Sequence, residues 1–211
     1  MKKTNITKLF SLVLTRLSLS RECTIIMCFI LCFGISTGIF FETLMSNDMK
    51  SNMQGYLKVL FEAIEGQPLD ITAITSALFL NIAAVLLICI SGCTKFCSFT
   101  SIGIFFIKGL SLGYCCALIL ETYSTQGLLL VTLTILPQNT ILLPALLIGS
   151  NVAYMSYSNK NKFSSSTKKG RALTSILFEP AYLCIFLFLV AIIAISCFIQ
   201  LSLLPLVTKL L

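Results

Sequence analysis

Three groups of residues in this chain are of types that do chemistry: Cys89, Cys93 and Cys97; the lysine Lys108 within an apolar run; and Gln138-Asn139-Thr140, set between Pro137 and Pro144. The three cysteines recur every fourth residue, as Cys28 and Cys32 do, a spacing that puts them on one face of a helix. Zinc or redox chemistry is the functional reading of such a face. Zinc sites favour Cys-x-x-Cys spacing or added histidine, however, and the chain has no histidine. Disulfide frameworks belong to small secreted domains, whereas nearly all ten cysteines here lie in or beside apolar runs. They are read as small apolar residues, with no metal and no cofactor expected.

The absence of histidine, with only eight acidic residues, also leaves little for general acid-base or nucleophilic catalysis. There is no Gly-x-Ser-x-Gly and no phosphate-binding glycine loop. The expectation is a protein that is not an enzyme.

The elements that must position these residues follow from composition. Hydrophobic residues make up 57% and charged residues 11%, against about 25% charged in soluble domains, which places the chain in a membrane. Its apolar runs have the roughly 20-residue length of spanning helices, not the alternating strands of a barrel. The fold class is therefore all-α, a polytopic helix bundle with spans near 24–44, 71–90, 99–120, 127–154 and 181–204, a membrane domain covering 24–211. Residues 1–23 precede it as a basic segment. Within them, residues 5–20 suit an amphipathic helix on the inner membrane face, with Leu9, Leu12 and Leu17 towards the lipid. A signal peptide competes for this region, but the following run continues for 21 residues without a small-residue cleavage site and reads as a retained anchor.

Five spans and a cytoplasmic N-terminus put eleven Lys and Arg inside and three outside, with Lys108 in a span; the C-terminus is then outside. The inner loop of residues 156–175 is polar and basic, which fits anionic lipid or topology rather than nucleic acid.

That topology requires 127–154 to cross completely, yet 28 residues of straight helix reach about 42 Å against a core of about 30 Å. Pro137 and Pro144 each lack an amide hydrogen, so the segment is expected to be a broken helix with Gln138, Asn139 and Thr140 facing the bundle interior. Lys108 either snorkels to the near interface or turns inward to Asn81 or the polar turn after Pro137. Gly34 and Gly38 in the first span, and Gly109 and Gly113 in the third, are close-packing positions that pair with each other or form a homodimer seam. Between the first two spans, a helix from Met53 to Ile64 would gather Tyr56, Leu57, Leu60, Phe61 and Ile64 on one side. Leu57, Leu60 and Phe61 are the expected partner surface, the alternative being contact with membrane lipids.

The order of these features resembles the stage II sporulation protein M family over roughly residues 24–203. The specific part is Lys108-Gly-Leu-Ser-Leu-Gly-Tyr114, then Gly127-Leu-Leu-Leu leading to Leu136-Pro-Gln-Asn-Thr-Ile-Leu-Leu-Pro-Ala145. Family members often carry a histidine after the first proline and a glutamate two positions before the second, where this chain has Gln138 and Leu142. The resemblance implies a non-enzymatic protein of the cytoplasmic membrane that localises peptidoglycan-degrading enzymes, as in engulfment during sporulation. A channel or permease-like subunit, with a path along Asn81, Lys108 and the proline segment, is the competing expectation.

Overall fold

The computed structural model describes residues 20–64, 71–94, 96–163 and 179–208. The expected amphipathic segment before residue 20 and the basic stretch after 163 lie outside them. Among the described residues, six helices follow one another: α1 (Arg21–Thr43), α2 (Asn47–Ile64), α3 (Ile71–Ser91), α4 (Cys97–Leu130), α5 (Leu136–Phe163) and α6 (Pro180–Thr208), with a π-helical turn at Val131–Ile135 joining α4 to α5. There is no strand among the described residues. The molecule is an all-α membrane helix bundle.

Among the described residues, three stretches are long and apolar enough to cross a membrane: Arg21–Thr43, Cys97–Ser158 and Pro180–Gln200, with Leu78–Ser91 a shorter apolar helix. The middle stretch has 62 residues. As one straight helix it would reach about 93 Å, three times a bilayer core of about 30 Å. It does not run straight. Ser124 has φ 49° and ψ −119°, the only positive φ outside glycine among the described residues. That left-handed value reverses the chain, and Gly127 returns against Ile119, where a Cβ would sit 2.6 Å from the Ile119 carbonyl oxygen. Only a residue without a side chain fits there. The chain therefore doubles back near Ser124, so these 62 residues form two apolar helical segments rather than one, and α3 adds a shorter apolar helix.

The segment over 127–154 is irregular, as its length and prolines lead one to expect, but the irregularity sits before the prolines rather than between them. In the π turn the Leu136 amide donates to the Val131 carbonyl, five residues back. The widened turn ends just before Pro137, whose ring would clash with the carbonyl four residues earlier in a regular α-helix. From there α5 runs unbroken through Pro144, which is exposed.

α1 packs chiefly on α4, α5 on α6, and α3 against α6. The first seam is set by glycine. A Cβ on Gly34 would lie 2.7 Å from the Phe106 carbonyl oxygen, and one on Gly109 would lie 2.6 Å from that of Leu31; Gly38 and Gly113 are closer still to the carbonyls of Leu110 and Ile35. The four glycines thus close one seam within the chain, backbone against backbone. Elsewhere the core is filled by Ile88, Phe105, Leu146, Val152 and Ile193.

Candidate functional site

The first candidate site lies inside the bundle, where four helices each contribute a polar side chain. Lys108 of α4 donates to Asn81 Oδ1 of α3. Asn81 Nδ2 donates to the Cys197 sulfur of α6 at 3.4 Å, and Gln138 Nε2 of α5 reaches the same sulfur at 3.6 Å. The Ser196 hydroxyl donates to the Gln138 carbonyl at 3.0 Å. Asn81, Gln138, Ser196 and Cys197 are all buried. An amide or hydroxyl taken out of water without a partner costs several kcal/mol, so each group here depends on the others. The cluster holds α3, α4, α5 and α6 in one register.

Of the two places open to Lys108, the structure shows the inward one, on Asn81. Of the three polar residues expected inside, only Gln138 is there. Asn139 is half-buried and donates to the Ile135 carbonyl of its own helix at 2.8 Å; Thr140 is exposed and bonds back to Leu136 at 2.8 Å. A continuous helix turns successive residues by about 100°, so three consecutive side chains cannot share one face. Ser196 and Cys197 were not singled out by sequence, because two small residues in an apolar run carry no pattern.

The cysteine trio does not form one helical face. α3 ends at Ser91, the chain turns through Gly92, Cys93 and Thr94, and Cys97 opens α4. Gly92 leaves room in this turn for the Tyr182 hydroxyl, which donates to the Cys89 carbonyl at 2.7 Å. Among the described residues, no three Cys, Asp or Glu side chains converge as metal ligands would.

The second candidate site is at the distal end, away from the N-terminus of α1. Lys50 of α2 sits between two carboxylates, 2.9 Å from Glu42 Oε1 at the end of α1 and 2.7 Å from Glu121 Oε2 in α4. The Lys50 ammonium is the partner of Glu42 Oε1. The hydrogen bond to Glu121, then that to Glu42, holds Lys50 protonated above its ordinary range. Alongside, the Tyr114 hydroxyl reaches the Met45 sulfur at 3.7 Å.

These contacts fasten α2 to the bundle, and they involve one residue of the expected partner surface. Leu57 is half-buried and packs towards Ile119 and Leu130. The side chains of Leu60 and Phe61 lie outside the described residues. The helix also begins six residues before Met53, at Asn47, and that added turn and a half carries Lys50 to the carboxylates.

The model of a family described as stage II sporulation protein M matches residues 26–200 of the chain. That range runs from the first turns of α1 into α6 and takes in both clusters. No curated protein and no solved structure matches.

Proposed function

The chain belongs to the stage II sporulation protein M family, and from that premise we propose that it is a non-enzymatic, multi-pass protein of the cytoplasmic membrane that holds cell-wall hydrolases at the membrane during engulfment or a related envelope process. On this reading the N-terminus is cytoplasmic and the distal end is extracytoplasmic, in keeping with the eleven basic residues assigned to the inner side. The observation that carries it is α2, a helix outside the apolar crossings, pinned at three points to the distal end. Lys50 ties it to Glu42 and Glu121, and Leu57 seats it on Ile119 and Leu130. A scaffold needs a rigid surface presented to partners, and a helix held this way loses little freedom when one binds.

The internal polar cluster favours scaffold over channel. Lys108, Asn81, Gln138, Ser196 and Cys197 bond to one another across four helices. Their polarity serves cohesion of the bundle. Partner contact is assigned to the side of α2 that carries Ser51, Gly55 and Lys58, all exposed. Reversing the charge with Lys58→Glu should reduce recovery of a co-expressed peptidoglycan hydrolase with the tagged chain while membrane insertion stays intact. Unchanged recovery would remove α2 as the docking surface.

A further inference from the structure

The faces of α2 divide into three. Lys50, Gln54 and Leu57 are half-buried and mark the side towards the bundle. At about 100° per residue, Met49, Met53 and Tyr56 fall in a stripe about a quarter turn away from that side. All three are exposed, at 58%, 44% and 68%. Ser51, Gly55 and Lys58, polar or small and also exposed, occupy the remaining direction, with Val59 exposed at the margin.

A quarter turn is the angle that matters. A helix lying against the wall of a bundle at the membrane surface has protein on one side and lipid at a right angle to it, with water in the remaining direction. The apolar stripe stands where lipid would be. Close before it in the chain, Phe40, Phe41 and Leu44 are likewise exposed, at 63%, 57% and 68%. The stripe carries no charge, while Lys58 is on the side turned away from it.

We infer that α2 is an interfacial helix, half-sunk in the distal leaflet, whose ligand is the lipid surface through Met49, Met53 and Tyr56. Apolar burial of about 5–10 Å into the headgroup and acyl boundary is the depth at which such helices rest. The Lys50 latch and the lipid then fix the helix on two perpendicular sides, leaving one side to water. This inference is independent of the scaffold reading, which concerns the water side alone.

The chain has no tryptophan, so a single introduced indole is a clean reporter. Met53→Trp, Tyr56→Trp and Lys58→Trp would each be placed in the full chain and reconstituted into phosphatidylcholine–phosphatidylglycerol vesicles, with and without brominated acyl chains in both leaflets. The expected result is that brominated lipid removes about half or more of the fluorescence at 53 and 56, and much less at 58. Quenching at 53 and 56 no greater than at 58 would overturn the inference, whether the stripe then faces a protein or water. Strong quenching at all three positions would overturn it as well, since the polar side would also be sunk. The three positions are exposed, and unchanged unfolding of each variant verifies the fold before quenching is read.

Discussion

The glycine seam between α1 and α4 makes the most exacting prediction. Replacing Gly113 by Ala puts a Cβ against the backbone of Ile35, 2.9 Å from its carbonyl carbon and 3.0 Å from its Cα, with the carbonyl oxygen nearer still. Gly38→Ala meets Leu110 in the same way and lies 2.8 Å from the Tyr114 nitrogen. Backbone atoms cannot swing aside as a side-chain tip can, so the helices must part by roughly half an ångström or more, which forfeits a quarter to a half of each contact along the seam. Overpacking of this kind costs about 1–3 kcal/mol, and we expect about 2 kcal/mol for either substitution. The double variant should lose less than twice that, because the first separation makes room for the second methyl. Gly55→Ala and Gly103→Ala are the controls. Neither Cβ meets anything within 4 Å, so both should be neutral or gain up to about 1 kcal/mol from helix propensity. Equilibrium unfolding in mixed micelles, followed by labelling of the buried thiols Cys97 and Cys197, reads the difference. Wild-type stability of Gly38→Ala and Gly113→Ala, or equal losses in the controls, would refute the reasoning.

Three further outcomes follow from the clusters and the turn. Asn81→Leu should cost about 2–3 kcal/mol by stranding the Lys108 ammonium, and Lys108→Met in the same chain should restore much of it; a double-mutant cycle with no coupling would contradict the bond. Hydrogen bonds to Glu121 and Glu42 raise the Lys50 pKa from 10.5, so while the carboxylates are ionised its contribution is full up to about pH 10.5 and is lost as pH rises through the higher folded value; the alkaline part of the unfolding profile should therefore flatten in Lys50→Met. Ser124→Gly should stabilise the chain by about 1 kcal/mol, since glycine adopts φ 49° without strain, and Ser124→Val should destabilise it; equal unfolding midpoints for the two would count against a strained reversal.

Much of the fold is legible in the sequence because the bilayer imposes a length and an apolar composition on each crossing. Each apolar run falls on helical residues, and Gly34, Gly38, Gly109 and Gly113 announce a seam, though not whether it joins one chain or two. Lys108 and Asn81 are also readable as a pair, since a cation at that depth needs an acceptor. What escapes is whatever depends on fine geometry. Pro137 signals an irregularity, but relief comes from a π turn upstream, in Val131–Ile135, whose sequence has nothing unusual about it. Cys197 becomes the hub of the internal cluster only because α6 packs with that face towards α3 and α5. The pairing of Lys50 also escapes, because Glu42 and Glu121 are distant in sequence and meet it only when α1, α2 and α4 converge.

Holding partners is the function proposed for this chain, and co-purification tests it most directly. A tagged full chain extracted from its native membrane in mild detergent should bring down a peptidoglycan hydrolase at near-stoichiometric level, and Lys58→Glu should lose it while inserting normally. Recovery of the chain only with itself, together with solute flux through vesicles that contain the purified protein and loss of that flux in Lys108→Met, would contradict the scaffold and favour a conduction path through the Asn81–Lys108–Gln138 cluster.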